Sequence, residues 1–534
     1  MKRILSLASA VTATLAIAAC TPASGGGDAG PPQPGGTLRY GLSQAPTCSD
    51  PAQAGTNQTL YVTRQIVDSL TDQNPATGEI TPWLATSWQV SPDAKSFTFH
   101  LRPDVTFSDG TPLTATSVQK NFDAIAHTLT TAKAPLGASY LAGYAGTTVI
   151  DPLTADIRFD APNAQFLQAS STPQLGILAD VTTAKPAEQR CLGDDIGSGP
   201  FVYAGYRQDI SATLARRPGY RWGSAVFAHP GEAYLDRIEF TVVPEAGVRT
   251  GSLSSNQLDA VSDALPQDVP QLEATGAEVQ FASNPGVPFG LQPNLSRAPL
   301  SDAAVRQALL HGIDRTQLVD TVLGPQFLPA TGALASKTPG YVDLSNSIGY
   351  DPEQARHLLD NAGWAPGGDG IRVKDGRRLS FGVLFSTAFA ANRATLELVQ
   401  QQLRSIGVDL RLELAAAGEY TARQNAGDFD TTYYNTTRAD GDILRTTFGR
   451  GQRNLNQREP IAALDRALAD QLSTTDPAAR GALVAAAQRS VIDNGLWLPT
   501  IELSQAIGRS AAVHDLRFEA SARLQFHDTW LSTR

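Results

Sequence analysis

This chain of 534 residues has few cysteines and histidines: three cysteines and seven histidines. The histidines are scattered, and none forms a His-x-x-x-His pair or a glutamate-flanked pair of the kind that binds zinc. The sequence also lacks a Gly-x-Ser-x-Gly nucleophile elbow and any conspicuous pair of carboxylates for acid–base catalysis. These absences predict a protein without a resident metal or cofactor, and they argue against an enzyme.

Basic residues are in the minority. The chain has 42 lysines and arginines and 52 acidic residues, which gives a formal net charge of -10. Removal of Lys2 and Arg3 with a leader would change the net charge to -12 (-10 - 2). An acidic chain without a basic run argues against a nucleic-acid partner. The length allows roughly two to four domains, and 42% hydrophobic with 18% charged residues is typical of a globular protein.

Beyond the N-terminus the sequence has no run of ~18 apolar residues, the length that a membrane-spanning helix needs. At the N-terminus two basic residues precede a short apolar stretch that ends in Ile-Ala-Ala-Cys20, as in a secretory signal. This ending resembles the lipobox of bacterial lipoproteins, which implies that residues 1–20 are a signal peptide and that Cys20 receives acyl chains such as palmitate. Residues 21–35, rich in glycine and proline, are expected to be a flexible linker. Ordinary secretion with a coincidental cysteine is the alternative.

The stretch from residue 84 to residue 122 is the most informative part of the chain. Apolar and polar side chains alternate over residues 97–102, which predicts a strand with one buried face. Asp109-Gly110 is a turn pair, and residues 114–117 have the composition of a helix start.

The spacing of apolar residues and the capping residues also predict helices and strands in other segments. A strand at 379–385, a helix at 391–405 and an apolar segment from residue 407 predict a βαβ unit and hence a partly parallel sheet. Further segments are predicted in this way: a helix at 60–70, a hairpin within 147–159, a strand at 234–243, a helix capped by Ser301, a helix capped by Asp351 and helices within 457–490.

The exact sequence motifs of residues 84–122 are more informative than their alternation of apolar and polar residues. It contains Ala-x-Ser-Trp, Ser-Pro-Asp, Leu-Arg-Pro and Phe-Ser-Asp-Gly-Thr-Pro-Leu, and this series resembles the signature of the peptide/nickel solute-binding proteins (family 5) that feed ABC importers. Later segments resemble the family as well: Gly36 to Tyr40, Gly197 to Phe201, Val305 to Ala308, Tyr350 to Trp364 and Gly427 to Asp440. The resemblance implies an α/β, two-lobed, periplasmic-binding-protein-like fold (class II, cluster C type) with an extra domain inserted in the first lobe.

The same resemblance places the domain boundaries. The main domain of lobe I is expected to be discontinuous, and a subdomain inserted in it is expected at 69–191. The expected segments of lobe I are 36–68, 192–283 and 497–534. Lobe II is expected at 284–496.

A ligand site is implied in the loop after the strand that begins near residue 431. Peptide-binding relatives carry an aspartate there that pairs with the α-ammonium group of the ligand, and Asp440 stands at the matching position. One fixed carboxylate can read a cation that every peptide has. The match is incomplete, because Thr437 stands where relatives usually have a tryptophan. The loop 385–391, from which dipeptide binders supply an arginine for the ligand carboxylate, has no basic residue, so Arg438 or Arg393 would have to substitute.

The neighbouring residues are candidates too. Strand alternation is expected to turn one of Tyr433 and Tyr434 toward the cleft and the other toward the core, and Asn435 follows them. Trp222 is a candidate ligand contact, with packing as the alternative. For Asp440 the alternative is a loop cap.

Apart from Cys20 the chain has two cysteines, Cys48 and Cys191, and a secreted chain would expose them to an oxidising compartment. In the family both loops lie near the hinge between the lobes, which implies a Cys48–Cys191 disulfide; two buried thiols are the alternative.

Together these features predict an extracytoplasmic lipoprotein, a monomer anchored to the outer face of the cytoplasmic membrane. It would capture a peptide or peptide-like solute between its lobes and deliver it to the permease of an ABC importer, with nucleotide bound elsewhere. One alternative is the same fold with a non-peptide cargo such as a metal chelate, an opine or a glycoside. The alternative of another class is a lipid-anchored hydrolase.

Overall fold

A computed structural model describes residues 30–128, 136–387, 389–451 and 454–532. The candidate lipidation site Cys20, the signal segment and most of the linker lie outside these residues. Within the described ranges, no helix combines the length and the apolar character needed to cross a bilayer.

The first sheet, which we call the sheet of lobe I, is built around the strand Thr37–Leu42. Leu38, Tyr40 and Leu42 are fully buried, since alternate side chains of a strand point to the same face. This strand runs parallel to Arg237–Val242, which lies within the segment predicted at 234–243. The strands in order across the sheet are Glu278–Ser283, Ser504–Arg509, Ala260–Val261, Thr37–Leu42, Arg237–Val242, Ser211–Arg216 and Phe201–Arg207.

The inserted subdomain has an antiparallel sheet and its own core. Phe97 and Phe99 of the strand Ser96–Leu101 are fully buried there. The helix Ala115–Asp123 begins with a capping box between Thr114 and Ser117, as the helix-start residues predict. The strands in order across this sheet are Ala85–Val90, Ser96–Leu101, Thr154–Phe159 and Tyr144–Asp151.

Lobe II is organised around a mixed sheet. The strands Ser380–Phe385 and Asp409–Leu414 are parallel neighbours joined by the helix Asn392–Ser405, so the predicted βαβ unit is present. The strands in order across the sheet are Leu328–Pro329, Leu498–Glu502, Gly286–Pro293, Thr431–Thr437, Ser380–Phe385 and Asp409–Leu414.

Helices cover these sheets. Those of lobe I and its subdomain are Asn57–Thr63, Ala115–Asp123, Leu136–Tyr140, Phe166–Ala169, Asp180–Thr183, Ala246–Ser254 and Val269–Ala274. Those of lobe II are Ala303–Gly312, Arg315–Leu318, Pro352–Asn361, Asn392–Ser405, Ala417–Ala426, Ile443–Phe448, Ala462–Ser473 and Pro477–Asp493. Short strand pairs complete the fold: Thr71–Gln73 with Ile80–Pro82, Arg372–Lys374 with Ala365–Pro366 and Arg377–Arg378, Val513–His514 with Trp530–Leu531, and Arg517–Phe518 with Leu524–Gln525.

The chain crosses between the lobes at two adjacent places. The first crossing is at Asn284, whose backbone N–H donates to the carbonyl oxygen of Leu503 at 2.8 Å. The second crossing is at Leu503 itself and not at residue 497, because Leu498–Glu502 pairs with Gly286–Pro293 in the sheet of lobe II.

Two helix boundaries also differ from the sequence-based expectation. The cap of Ala303–Gly312 is Asp302, whose side chain accepts from the Ala304 N–H, and not Ser301. The helix expected at 60–70 ends at Thr63 and continues only as the 3-10 turn Arg64–Ile66.

The segment 197–199 explains this early ending. The Gly199 N–H donates to the Ile66 carbonyl at 2.9 Å, and the Ser198 hydroxyl accepts from the Asp68 N–H at 3.1 Å. A Cβ atom at Gly199 would lie 2.5 Å from the Ile66 carbonyl carbon and 2.6 Å from the Val67 nitrogen. Glycine is therefore required here by the close approach of two backbones.

Cys48 and Cys191, the pair implied by the resemblance, form a disulfide bond with their Cα atoms 4.4 Å apart. The bond joins segments separated by 143 positions. Beside it, the buried Asp50 and Arg190 form an ion pair of 2.9 Å.

Candidate functional site

The two lobes meet where the loop after the strand Thr431–Thr437 contacts the inserted subdomain. Arg438, which is buried, donates from Nη2 to Oε1 of Gln165 at 2.6 Å. Its guanidinium also lies over the ring of Tyr140, 4.5 Å from the centroid, in the geometry of a cation–π contact. Beside it, Gln73 Nε2 donates to the Ala439 carbonyl at 3.2 Å. These contacts connect lobe II to lobe I without a covalent link.

Asp440 is buried next to this contact and is held by another arginine. Nη1 and Nη2 of Arg480 donate to its two carboxylate oxygens at 2.8 and 2.6 Å, a bidentate pair. Oδ1 also accepts from the Asp442 N–H at 2.7 Å. Burial alone would raise the pKa of Asp440, but the charge and hydrogen bonds of Arg480 outweigh it, so the pKa is lowered. The carboxylate is therefore ionised, with its counter-charge inside the chain.

Asp442 is also fully buried and heavily bonded. It accepts from Nε and Nη2 of Arg445 at 2.7 and 2.8 Å and from Gln471 Nε2 at 2.5 Å, while Arg438 lies 3.7 Å away. We call these five charged residues the 438–480 cluster: Arg438, Asp440, Asp442, Arg445 and Arg480. Three guanidinium groups and two carboxylates give it a formal charge of +1 (3 - 2).

The strand before the cluster separates the predicted tyrosines as alternation requires. Tyr433 is 1% exposed and stacks on Phe289 at 5.3 Å, with its hydroxyl 3.1 Å from Thr500 Oγ1; burial raises its pKa. Tyr434 is half-buried on the other face and donates its hydroxyl to Gln292 Oε1. Asn435, the next residue, is also half-buried.

Trp222 lies apart from these residues, in the core of the inserted subdomain. It is 2% exposed, and its Nε1 donates to Asp68 Oδ2 at 2.9 Å and to the Ser198 carbonyl at 3.1 Å. The guanidinium of Arg217 lies 4.9 Å from its ring centroid. The described contacts of Trp222 are packing contacts, which agree with the alternative given for it.

A known protein family matches most of this chain. The model of the bacterial extracellular solute-binding proteins, family 5 Middle, matches residues 79–449. The chain belongs to this family. The match includes most of the inserted subdomain and the strand and loop that carry Tyr433 to Asp440.

Relatives cover most of this family 5 chain. The nickel-binding periplasmic protein of Escherichia coli (strain K12) is 26% identical over 445 residues, 81% of this chain and 83% of the relative. Di/tripeptide-binding protein 2 of Pseudomonas aeruginosa (strain UCBPP-PA14) is 26% identical over 501 residues, 87% of this chain and 89% of the relative. The crystal structure of NikA from Brucella suis in complex with Fe(III)-EDTA superimposes with a TM-score of 0.80 at 23% identity, over 93% of this chain and all of that one. The predicted two-lobed α/β fold is confirmed.

Arg480 and Gln471 bind the aspartates of the candidate site in this family 5 protein, and the sequence analysis did not name them. Arg480 is 40 positions from Asp440, so no local spacing connects them. A signal was nevertheless present: Arg480 stands at helical spacing from Val484, Ala487 and Val491, which are buried. An arginine on the apolar stripe of a helix indicates a buried partner.

A cavity of about 260 Å³ borders the 438–480 cluster at Arg445. Arg445 and Arg450 supply positive charge to its wall, Asp465 supplies a carboxylate, and Leu468 and Leu472 supply an apolar surface. The Leu472 carbonyl accepts from the Ala164 N–H of the inserted subdomain at 2.8 Å. The cavity therefore lies beside the contact between the lobes.

Proposed function

We propose that this family 5 protein is the extracytoplasmic receptor of an ABC importer, and that it holds a small solute between its lobes and passes it unchanged to the membrane subunits. The observation that carries the proposal is the non-covalent contact between the lobes, in which Arg438 donates to Gln165 and lies 4.5 Å from the ring centroid of Tyr140. Closure around a ligand by hinge motion is a standard way for a binding protein to offer its partners a distinct surface.

We further propose that Cys20 anchors the receptor to the outer face of the cytoplasmic membrane. Its support is the lipobox resemblance in the sequence and the periplasmic nickel-binding relative. A tether of Gly- and Pro-rich residues would leave the folded lobes free to reach the permease.

The cargo has two candidates. The sequence favours a peptide-like solute whose α-ammonium group pairs with Asp440. The bidentate pair of Asp440 with Arg480 at 2.6 and 2.8 Å favours the second candidate, a solute that needs no carboxylate partner, such as a metal chelate or an opine. The Brucella suis relative was solved with a metal chelate, Fe(III)-EDTA. The formal charge of +1 on the 438–480 cluster likewise suits an anionic group.

Acetylation of a peptide's N-terminus distinguishes the two candidates. Because Asp440 is already neutralised by Arg480, we expect N-acetylation to change the Kd of a bound peptide by less than about threefold, well under the tenfold that 1.4 kcal/mol represents. Isothermal titration calorimetry of paired free and acetylated di- and tripeptides measures this, with Fe(III)-EDTA as the non-peptide probe.

Mutation of the same carboxylate provides the control. A tenfold or larger loss on acetylation that disappears in Asp440→Asn would show that Asp440 reads an ammonium group, and our preference for the second candidate would be wrong. The matched variant is Asp470→Asn, an exposed aspartate on the nearby helix Ala462–Ser473, which should leave both affinities unchanged.

A further inference from the structure

Two histidines and an aspartate that are distant in sequence come together in lobe I. His527 Nδ1 lies 2.9 Å from Oδ1 of Asp528, and His229 Nε2 lies 3.8 Å from the same oxygen. One donor atom from each of the three residues lies within 4.8 Å of the others. His527 and Asp528 are buried, and the side chain of His229 is 22% exposed.

The hydrogen bonds of His527 define what this cluster needs. Its Nε2 lies 2.7 Å from the Gly231 carbonyl oxygen, which can only accept, so Nε2 carries the hydrogen. In the neutral ring Nδ1 then has a lone pair, and that lone pair faces the Asp528 carboxylate. Two acceptors at 2.9 Å require a cation between or beside them, either a second proton or a metal ion.

His229 supplies the observation that favours a metal ion. Its Nε2 is buried and has no hydrogen-bond partner within the described part of the chain, although it faces Asp528. A second proton on His527 would leave this nitrogen unused, whereas a shared ion would bind it.

We propose that His229 Nε2, His527 Nδ1 and Asp528 Oδ1 bind one divalent transition-metal ion, with water completing the coordination. Two imidazoles and a carboxylate suit zinc, nickel or copper rather than calcium or magnesium. The hydrogen bond from His527 to the Gly231 carbonyl is the outer-shell contact that typically orients a histidine ligand. One ion would need each ligand atom at ~2.0–2.2 Å, and the three atoms already lie within 4.8 Å of one another.

The second oxygen of Asp528 has other partners, which leaves Oδ1 for the ion. Oδ2 accepts from the Ala228 N–H at 2.9 Å and lies 3.3 Å from Nε of Arg517. These contacts orient the carboxylate before any ion arrives.

The site is separate from the contact between the lobes. His229 lies in the loop before the strand Arg237–Val242, and His527 and Asp528 lie just before the strand Trp530–Leu531. A bound ion would connect this loop to the C-terminal segment of lobe I and stabilise lobe I whether or not a solute is bound. Phe227 stacks on the ring of His527 at 4.5 Å and covers one side of the cluster.

Zinc titration into EDTA-dialysed protein tests the site. We expect a stoichiometry of one, a rise in Tm with zinc, and an affinity more than about 100-fold weaker in His229→Ala, because losing a direct ligand costs more than losing an outer-shell contact. Cu²⁺ bound to the unmutated protein should show electron paramagnetic resonance couplings to two imidazole nitrogens. The matched control is His357→Ala, which removes an exposed histidine of lobe II.

Three results would overturn the proposal. One is the absence of zinc binding to the unmutated protein, with the nitrogen NMR shifts of His527 showing an imidazolium. Another is equal zinc affinity in the unmutated protein and in His229→Ala. The third is a copper spectrum without imidazole coupling, which stands even if the variant fails to fold.

Discussion

Replacing Gly199 by alanine is expected to destabilise the protein by about 4 kcal/mol or more, at the upper end of single-residue effects. The added Cβ would lie 2.5 to 2.7 Å from backbone atoms of Gln65, Ile66 and Val67. Backbone on both sides is held by hydrogen bonds, including Gly199 N–H to the Ile66 carbonyl at 2.9 Å, so neither segment can move away cheaply. Chemical denaturation followed by circular dichroism measures the loss.

Gly247→Ala is the matched control for this change. Gly247 lies in the helix Ala246–Ser254, and a Cβ there would meet nothing within 4 Å. We expect that variant to be as stable as the unmutated protein or up to about 1 kcal/mol more stable, since alanine favours a helix. Equal stability of Gly199→Ala and Gly247→Ala would contradict the close approach of segments 65–67 and 197–199.

Replacing Arg480 by alanine is the second large effect that we expect. It leaves the buried Asp440 without its bidentate partner, and breaking a buried ion pair from one side typically costs about 3–5 kcal/mol. The double variant Arg480→Ala/Asp440→Asn should regain part of this loss because it removes the uncompensated charge. Urea denaturation at pH 7 measures both variants.

The loss should depend on pH in a defined direction. In the unmutated protein the pKa of Asp440 is lowered below its unfolded value, so its contribution is present above about pH 4 and is lost as pH falls through the folded pKa. Without Arg480, burial raises the pKa of Asp440 and favours its protonation. The deficit of Arg480→Ala should therefore be largest near neutral pH and shrink toward about pH 4.

An exposed arginine on the same helix is the control. Arg489 lies on the solvent side of Pro477–Asp493. Arg489→Ala should lower the free energy of unfolding by less than about 0.5 kcal/mol. If Arg480→Ala behaves like Arg489→Ala, the Asp440–Arg480 pair does not exist in solution.

The parts of the fold with strong local periodicity could be predicted from the sequence. Phe97 and Phe99 alternate with polar residues, and they are buried on one face of Ser96–Leu101. The βαβ unit at 380–414 was predictable because strand, helix and strand each have their own period. The end of the helix expected at 60–70 was predicted wrongly because the apolar spacing continues past Thr63. In the structure, Ile66 and Asp68 form hydrogen bonds with segment 197–199 instead of helical ones.

The candidate site was only partly predictable. The alternation of side chains along a strand predicted that Tyr433 and Tyr434 lie on opposite faces. The partner of Asp440 depends on how two lobe II segments pack, and no pattern in residues 431–440 contains that information. The same holds for His229 and His527. Their spacing of 298 positions carries no motif, and only the folded lobe brings their rings to 4.5 Å.

The central claim is that the chain holds a solute between its lobes and releases it unchanged. Mass spectrometry of protein purified from native cells, first intact under native conditions and then after denaturation, tests it most directly. The account predicts one small molecule per chain in the native spectrum, and the same intact molecule recovered after denaturation and after prolonged incubation with the protein. A chain with no bound molecule that also binds nothing from cell extract, or a solute whose mass changes during incubation, would contradict it.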